Sequence, residues 1–451
     1  MCPVYKTGNK NIFTNYRPIS ILPRFSKVFE KVVLNRLINY VEKKNILSCN
    51  QYEFREEYST YMAIVDMCNK ITTAIDNNEY AVGIFIDLSR AFDTLNHNIL
   101  LKKLEHYGIR GIALQWFCNY LSNRKQYVYI NGTSSYLRDI NCGIPQGSIL
   151  APLLFVLYLN DITHCSDLLK FILFADDTNL FHSSKHLSQL TTSVNCELCK
   201  LCDWFCSNRL SLNAKKTNYI LFGFKSQPHV TDRLDLYIDG IAIDQVEYSK
   251  FLGVYLDSKM NWKKHIEHIK LKISRGLGVM SRVRKILPLN VMTMLYHTLI
   301  YPYLVYCNIC WGSAKTSNIS KIAVLQKRAV RLCSGSGYMT PSNPVFVRLN
   351  LLKLADIHNL QIAIFMFKLK FRQLPTSFHH YASITNIDRF HNTRHISYFI
   401  QIKSRTNIHC HSITVHGPRL WDSLPMTIQQ SNVLSAFKSS LHNHYVSLYS
   451  S

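Results

Sequence analysis

The sequence predicts an α+β or α/β fold, because strand-like and helix-like patterns are mixed along residues 1–260. Two apolar runs have the composition of buried strands, AVGIFID at 81–87 and FILFADDTNLF at 171–181. Stretches before, between and after them repeat apolar residues at helical spacing. With 451 residues, the chain is also long enough for more than one hydrophobic core.

The residues before the first strand-like run indicate two helices. The stretch 15–47 begins with a Pro-containing extended segment and continues as a helix, because its apolar residues recur near a 3.6-residue period. A second helical stretch covers about 60–77. The periodic residues of the first helix are Val28, Val32, Leu34, Leu37 and Val41.

Turn signals divide the middle of the chain into hairpins and one apolar helix. QYVYING (126–132) and LYIDGIAI (236–243) contain Asn-Gly and Asp-Gly turns, which indicate hairpins. FILFADDTNLF is apolar on both sides of two aspartates, so it indicates a strand, a tight turn and a strand. After GIPQGS (143–148), the run ILAPLLFVLYLND indicates a buried helix with Ser148 as its N-cap. FLGVYLD (251–257) indicates a further strand.

From Trp262 the pattern becomes helical and basic. One face is an apolar stripe at spacings of three and four residues, while lysines and an arginine occupy the other faces. This arrangement allows the stripe to pack on the rest of the protein and leaves the cations in solvent. The stripe consists of Trp262, Ile266, Ile269 and Ile273, and the cations are Lys263, Lys264, Lys270, Lys272 and Arg275.

The charge is strongly positive and unevenly distributed. The formal net charge is +24, of which residues 266–451 carry +18 and residues 1–265 only +6. An excess that concentrated points to a polyanionic partner, and nucleic acid is the commonest one. An anionic membrane surface is the alternative.

Cysteine usage and the N-terminal residues indicate an intracellular protein in the cytoplasm, the nucleus or both. The chain has 14 cysteines, but it is long, and MCPVYKTGNK contains no apolar signal-peptide region. The uncharged stretch 286–314 is long enough to span a bilayer. It contains Pro302 and lies between basic segments, so it favours a buried helical pair joined near Pro302 over a membrane span.

Three carboxylates stand where charge is costly to bury. Asp87 ends an apolar strand, and Asp176 with Asp177 occupies the tip of the predicted hairpin. Brought together from adjacent strands, they could hold two Mg²⁺ ions, with Mn²⁺ as an alternative. The structural alternative is an ordinary hairpin turn and a helix cap.

Five segments follow one another in a characteristic order: FIDLSRAFDTLNH (85–97), CGIPQGSILAPLLF (142–155), LFADDTNLF (173–181), LNAKKTNYILF (212–222) and FLGVYLD (251–257). In this order and spacing they closely resemble the motifs of reverse transcriptases encoded by non-LTR (LINE-type) retrotransposons, most like the jockey and CR1 groups. NYRPIS, FEKVVLNRL and QYEFREEYST, between residues 15 and 60, resemble the finger motifs that precede them.

The resemblance implies a right-hand polymerase with fingers, palm and thumb, followed by a mainly helical basic C-terminal extension. We expect fingers and palm at 1–258, a thumb-like helical region at 259–335 and a basic module of unknown role at 336–451. The implied activity is RNA-directed DNA polymerisation from a primer 3′-hydroxyl. The implied partners are an RNA template, a DNA primer and deoxynucleoside triphosphates.

The resemblance also assigns roles to matching positions. Asp87, Asp176 and Asp177 are the expected metal ligands, and Lys216 is the expected acid or charge partner for the leaving pyrophosphate. The expected nucleotide-binding residues are Arg17, Lys10 (with Lys6 as the alternative), Phe92 as the steric gate, Gln146 and Gly147. The expected nucleic-acid contacts are Arg55, Phe251, Gly253, Lys263, Lys264, Lys270 and Arg275.

Two features separate this chain from intact elements. Glu53 stands where relatives usually have glycine, and this adds repulsion toward phosphate. The motif around PVYKTG (3–8) lies at the head of the chain, which predicts a partial open reading frame. A catalytically silent RNA-binding fragment is therefore the alternative function.

Two further clusters resemble metal sites. Cys196, Cys199, Cys202 and Cys206 match the C-x₂-C-x₂-C-x₃-C spacing of a ferredoxin run, but on a helix they share one arc and are expected to face the core as small apolar side chains. The C-terminal histidines and a cysteine lack a zinc-knuckle arrangement. They are His391, His395, His409, Cys410, His411 and His416.

Overall fold

The computed structural model describes residues 1–6, 8–88, 91–130, 132–223, 233–383 and 398–450. The N-terminal part is an antiparallel pair of strands followed by two long helices. These elements are β1 (Cys2–Tyr5), β2 (Tyr16–Ile19), α1 (Arg24–Lys43) and α2 (Thr60–Asp76), with a 3-10 turn at Phe13–Asn15. Both helices predicted from the periodicity are confirmed.

The middle of the chain mixes helices with strands, as the sequence predicts. In order, its elements are β3 (Tyr80–Ile86), α3 (Ala91–Thr94), α4 (His97–His106), α5 (Ile112–Leu121), β4 (Lys125–Gln126), β5 (Tyr129–Ile130), β6 (Thr133–Ser134), β7 (Arg138–Asp139), α6 (Ala151–Leu159), β8 (Lys170–Phe174), β9 (Asp177–Ser184), α7 (Leu187–Ser207), β10 (Asn218–Phe222), β11 (Tyr237–Ile238), β12 (Ile241–Ala242), β13 (Asp244–Gln245), β14 (Tyr248–Phe251) and β15 (Val254–Asp257). A 3-10 segment, Asn160–Cys165, follows α6.

A five-stranded sheet organises this region, with the order β13-β10-β3-β9-β8. The central strand β3 is antiparallel to both neighbours, and its apolar residues alternate between two cores. Ala81 and Phe85 pack into one core, whereas Val82, Ile84 and Ile86 pack into the other. Because successive side chains of a strand point to opposite faces, each face of the sheet has its own core.

The rest of the chain is helical. Its elements are α8 (Lys263–Val283), α9 (Leu289–Leu299), α10 (Tyr301–Val305), α11 (Asn308–Trp311), α12 (Thr316–Cys333), α13 (Ser342–Arg348), α14 (Leu354–Lys370), a 3-10 segment at Thr376–Tyr381, α15 (Asn407–Cys410), α16 (Ile413–Ser423), α17 (Met426–Gln429) and α18 (Leu434–Ser447).

One apolar core joins these helices to the sheet. It runs from α2 through α8 and α12 to α14 and α18, so it passes the position, residue 335, at which the sequence predicts the end of the thumb. The loop between α12 and α13 exposes Tyr338 and Met339, as expected of a connecting segment. The predicted basic module therefore packs in the same core as the predicted palm and thumb.

Two sequence predictions need correction. FLGVYLD is a hairpin rather than one strand, because β14 and β15 pair across a turn at Leu252 and Gly253, which have φ of 44° and 84°. The stretch 286–314 forms three short helices instead of a pair, with breaks at Ile300 and Cys307. Within the described parts of the chain, no helix has the length and apolar character needed to cross a membrane.

Candidate active site

The three candidate catalytic aspartates lie at one end of the central sheet. β3 ends directly before Asp87, and β9 begins at Asp177, directly after Asp176. Ile86 of β3 lies opposite Thr178 of β9 in the antiparallel register. Asp87, which follows β3, and Asp177, the first residue of β9, therefore lie at the same end of the two paired strands, although they are far apart in the chain.

A two-residue turn presents Asp176 at the tip of the β8–β9 hairpin. Phe174 pairs with Asp177, which leaves only Ala175 and Asp176 in the turn. Ala175 has φ of 49°, a left-handed conformation that is rare for a residue with a side chain. Such local strain is typical of functional sites, where the surrounding strands hold the backbone in place.

Negative charge accumulates at this tip. Partial removal from water, together with the charges of Asp176 and Asp87, raises the pKa of Asp177 to about 6. Glu53 reaches the same place because the amide of Tyr52 donates to the carbonyl oxygen of Leu173 at 2.9 Å. Partial burial and the charges of Asp176 and Asp177 raise the pKa of Glu53 to about 7.

Asp87 is held by the loop that precedes β10. The side-chain amide of Asn213 donates to Asp87 Oδ2 at 3.0 Å, and Lys216 Nζ lies 3.9 Å from the same oxygen. The backbone amide of Asn213 also donates to the backbone carbonyl oxygen of Asp87 at 2.9 Å. Lys216 therefore lies beside the aspartates at the strand ends, although 68% of its side chain is exposed.

The carboxylates suit a divalent cation in chemistry but do not form a closed ligand set. Carboxylate oxygens are the ligands that Mg²⁺ prefers, and the raised pKa of Asp177 reflects burial first and then repulsion by Asp176 and Asp87, which a cation would relieve. Across the described residues, however, no three His, Cys, Asp or Glu side chains form a group that could hold a metal ion. Asp87 is paired with Asn213 and Lys216 in this arrangement, so the joint ligation of a metal by the three aspartates stays a prediction.

The loop with Gln146 and Gly147 lies against the end of β2. The amide of Ser20 donates to the Gln146 carbonyl oxygen at 2.7 Å, and Gln146 Nε2 donates to Asp93 Oδ1 at 2.9 Å. Gly147 has φ of 122°, and a Cβ there would lie 2.6 Å from the Ser20 carbonyl oxygen. The chain's own backbone therefore requires this glycine, whereas the sequence argument attributed it to the approach of a ligand.

The candidate steric gate, Phe92, is half-buried in the short helix α3. Its ring stacks on Phe155 of α6 with a centroid distance of 4.4 Å. The Phe92 carbonyl oxygen accepts from the amide of Ile144 at 2.8 Å, which fixes α3 against the loop that carries Gln146. Phe92 therefore combines packing on a core ring with residual exposure.

The candidate phosphate-binding cations lie on the N-terminal strands and the loop between them. Arg17 belongs to β2, opposite Val4 of β1, and its side chain is exposed. Lys10 is exposed in the intervening loop, with its Nζ 5.7 Å from the centre of the Tyr5 ring. Lys6 is also exposed, so the choice between the two lysines stays open.

The basic helix α8 has the amphipathic arrangement expected from the sequence. Trp262, Ile266, Ile269 and Ile273 are buried, whereas Lys263, Lys264, Lys270 and Arg275 are exposed. Trp262 precedes the helix with φ of 61°. The four cations are available to a polyanion.

Two of the three other expected nucleic-acid contacts, Phe251 and Arg55, have structural partners. Phe251 is 2% exposed and packs 6.0 Å from the Phe85 ring centre, so its side chain is unavailable to nucleic acid. Gly253 is exposed in the β14–β15 turn. The Arg55 guanidinium donates to the Ser48 carbonyl oxygen at 2.9 Å and stacks 4.1 Å from the Tyr58 ring centre.

The cysteine and histidine clusters do not form metal sites within the described residues. Cys196, Cys199 and Cys206 lie on α7 as expected, but they are exposed rather than facing the core, because Leu190, Val194, Leu198, Leu201 and Phe205 fill the buried face. His391 and His395 lie outside the described residues.

Sequence reasoning missed three residues that the structure places at or behind the site. Asn213 had a signal, since it lies three residues before Lys216 in the same motif. Glu53 was noted as a departure from relatives, but its closeness to the aspartates depends on pairing with β8. Glu30 lies on α1 and gave no chemical signal at all, because its contacts are made by side chains and backbone more than 85 residues away.

A sheet with acidic residues at adjoining strand ends, helices on its faces and a basic helical region beyond it defines the palm-and-thumb class of polymerase folds. The chain belongs to the family described as reverse transcriptase (RNA-dependent DNA polymerase), whose model matches residues 5–256. This confirms the family predicted from the ordered motifs.

Individual relatives are similar over most of this chain. The RNA-directed DNA polymerase assigned to transposon BS of Drosophila melanogaster is 30% identical over 356 residues, covering 75% of this chain and 38% of the relative. The RNA-directed DNA polymerase from the mobile element jockey of the same organism is 29% identical over 78% of this chain and 39% of the relative. This chain therefore spans about two fifths of the length of these relatives.

Solved structures resemble the chain only distantly. Apo telomerase from Candida tropicalis aligns with 71% of this chain and 53% of its own, at 11% identity and a TM-score of 0.37.

Proposed function

We propose that this chain is the polymerase region of a non-LTR retrotransposon and extends a primer 3′-hydroxyl on an RNA template with deoxynucleoside triphosphates. The observation that carries the proposal is the meeting of Asp87, Asp176 and Asp177 at one edge of the sheet formed by β3 and β9. This edge lies inside the region that matches the reverse transcriptase family. The same residue types at adjoining strand ends are what two-metal nucleotidyl transfer needs.

In this proposal Asp87, Asp176 and Asp177 would hold two Mg²⁺ ions, with Mn²⁺ as an alternative. Ions held there would supply positive charge against the phosphates and would lower the pKa of the attacking hydroxyl. Lys216 exchanges its contact with Asp87 for the departing pyrophosphate, which it neutralises or protonates. The solvent exposure of Lys216 and the 3.9 Å distance between its Nζ and Asp87 Oδ2 are compatible with this exchange of partners.

The incoming nucleotide occupies the space between the N-terminal strands and the aspartates. Arg17, with Lys10 or Lys6, binds the triphosphate, because guanidinium and ammonium groups pair with phosphate oxygens. Gln146 and the backbone at Gly147 contact the nucleotide. Phe92 lies under the sugar, where its ring excludes a 2′-hydroxyl.

Template and primer bind along the basic helical region. Lys263, Lys264, Lys270 and Arg275 present exposed charges on α8 that neutralise backbone phosphates. In this assignment residues 1–258 are fingers and palm, 259–335 the thumb, and 336–451 a module that supports them by packing on α2.

The test is primer extension by the purified full chain on an RNA template with Mg²⁺ and deoxynucleotides. Extension is expected from the wild type and from Asp203→Asn, which changes an exposed aspartate on α7. Asp176→Asn should bind RNA but not extend. Binding of RNA without extension by the wild type would favour the silent RNA-binding fragment instead.

A further inference from the structure

Glu30 is a buried carboxylate in the first half of α1, where the neighbouring apolar side chains are unusually exposed. Phe25, Val28 and Phe29 of α1 are 82%, 61% and 69% exposed, whereas Glu30 is only 2% exposed. None of the ion pairs formed by the described residues includes Glu30. A carboxylate is costly to bury unless hydrogen-bond donors replace the water it loses.

Three donors satisfy Glu30, and two of them belong to the loop that follows Gly147. The Ser148 hydroxyl donates to Glu30 Oε2 at 3.0 Å, and the Ile149 amide donates to the same oxygen at 2.7 Å. The Tyr120 hydroxyl donates to Glu30 Oε1 at 3.0 Å. Hydrogen bonds to a charged acceptor are stronger than neutral ones, so this contact fixes the loop firmly.

Ser148 transmits the contact to the next helix. Its Oγ accepts from the amides of Leu150 and Ala151 at 3.1 and 3.2 Å, so Ser148 satisfies two amides at the start of α6, although Leu150 is the N-cap residue and not Ser148 as the sequence predicts. On the other side of the loop, the Ser20 amide holds the Gln146 carbonyl oxygen. The loop with Gln146 and Gly147 is therefore held by hydrogen bonds on both sides, to the Ser20 amide before Gly147 and to the Glu30 carboxylate after it.

We infer that Glu30 is a positioning residue, which holds the 145–149 loop in the conformation that accepts the incoming nucleotide. It touches neither nucleotide nor metal in this scheme and acts through Ser148 and Ile149. The inference rests on the proposed function, because that proposal assigns the loop to the nucleotide. The three hydrogen bonds to Glu30 do not depend on it.

The decisive variant is Glu30→Gln, which keeps the size of the side chain. With its NH₂ group toward the Tyr120 hydroxyl, the glutamine oxygen still accepts from Ser148 and Ile149, but these hydrogen bonds lose the charge assistance that the carboxylate gives them. We expect about a tenfold increase in the KM for deoxynucleotide, equivalent to about 1.4 kcal/mol. The kcat and the RNA affinity should stay within about twofold of wild type. Glu42→Gln, a half-buried change on the same helix, is the matched control.

A second measurement does not require catalysis. Hydrogen exchange of the full chain should accelerate at residues 145–151 in Glu30→Gln and Ser148→Ala, and stay unchanged in Glu42→Gln. The double variant Glu30→Gln with Ser148→Ala should raise the KM by less than the product of the two single effects, because both substitutions weaken the hydrogen bond between Ser148 and Glu30. Unchanged exchange at 145–151, or an equal increase throughout α1 and α5, would overturn the inference.

The two proposals fail differently. If the wild type does not extend a primer, the proposed function fails while exchange still decides whether Glu30 anchors the loop. If the wild type extends and Glu30→Gln loosens the loop without raising the KM, the positioning role is wrong and the polymerase assignment stands.

Discussion

Carboxylates occupy two regions of this protein in opposite chemical surroundings. At the strand ends, Asp177 and Glu53 are surrounded by other negative groups, and their pKa values are raised. On α2, Asp66 and Asp76 each accept hydrogen bonds from donors that include distant parts of the chain. The first region carries unrelieved charge, and the second uses the same side chain to hold the fold.

The carboxylate of Asp66 on α2 has hydrogen-bonding partners on both of its oxygens. The hydroxyls of Tyr52 and Tyr381 each donate to it at 2.9 Å, and Lys70 forms an ion pair with it one helical turn away. Tyr381 lies 315 positions along the chain from Asp66. This carboxylate has its oxygens engaged and is therefore a structural anchor.

Asp76 repeats the pattern at the end of α2. Its Oδ1 accepts from the amides of Arg405 and Thr406 and from the Thr406 hydroxyl, at 2.7 to 2.9 Å. Burial alone would raise the pKa of Asp76, but these hydrogen bonds and the nearby His409 outweigh it and lower the pKa. Donor supply, rather than residue type, separates a carboxylate that stabilises the fold from one that is free for catalysis.

The largest expected effect comes from removing a carboxylate of the first region. Asp176→Asn should reduce primer extension about 10³-fold or more, because it removes a group that acts at the reacting atoms. The free energy of unfolding should not fall, since the substitution relieves repulsion. Extension assays and urea unfolding of the same preparation measure both. A large loss of stability in Asp176→Asn would show that Asp176 stabilises the fold, as the carboxylates of α2 do, and would contradict the comparison.

The converse substitution is Asp66→Ala. It leaves two buried tyrosine hydroxyls and Lys70 without their acceptor, so we expect a loss of about 3 kcal/mol in the free energy of unfolding. Extension per folded molecule should stay close to wild type at low temperature. Asp203→Asn, an exposed aspartate, serves as the control. If Asp66→Ala lost primer extension without losing stability, Asp66 would have a catalytic role like the strand-end aspartates and not a structural one.

The comparison extends to aromatic residues through Phe92 and Phe251. Phe92→Val should admit ribonucleotides and reduce discrimination between the two sugars by about 10- to 100-fold, because the smaller side chain opens space at the 2′ position. Phe251→Val should lower stability without changing discrimination, since that ring is buried. Single-nucleotide incorporation with each sugar measures the ratio. An equal loss for both nucleotide types in Phe92→Val would make Phe92 a core residue only.

The smallest expected effect is a pH dependence of opposite sign in the two regions. A raised pKa in the folded state means that stability falls as pH rises from about 4 to about 7, because Asp177 and Glu53 must ionise against their surroundings. The lowered pKa of Asp76 gives stability that is present above its ordinary value and lost as pH falls below about 4.

Urea unfolding in EDTA at pH 5 and pH 7.5 tests this sign. Glu53→Gln should gain stability relative to wild type at pH 7.5 and little at pH 5, where Glu53 is already protonated. Added Mg²⁺ should reduce that difference by binding the ionised wild-type site. Equal effects of Glu53→Gln at both pH values would show that charge is not the cause.

Local patterns predicted much of the fold and part of the site. The apolar run before Asp87 and the hairpin around Asp176 identified β3, β8 and β9, because buried strands leave a direct signal in composition. Periodicity located α1 but not its buried face. Val28 and Val32 fit the apolar period, yet both are about half exposed or more.

The remaining features depend on contacts between distant segments. Phe251 was expected at the nucleic acid, but the β14 register turns it toward Phe85. The burial of Glu30 depends on Tyr120 and Ser148, which lie 90 and 118 positions away. No local spacing encodes such partners, so only the assembled fold reveals them.

The attachment of Tyr381, Thr406 and Thr414 to α2 has a consequence for how the protein is made. Asp76 must wait for Thr406, 330 residues later, which takes roughly 20 to 60 s at ribosomal elongation rates. During that interval the apolar side of α2 lacks the helices that cover it in the finished protein. The apolar side of α2 therefore favours aggregation of the nascent chain until the segment that contains Thr406 has been made, and contacts of such long sequence separation slow folding.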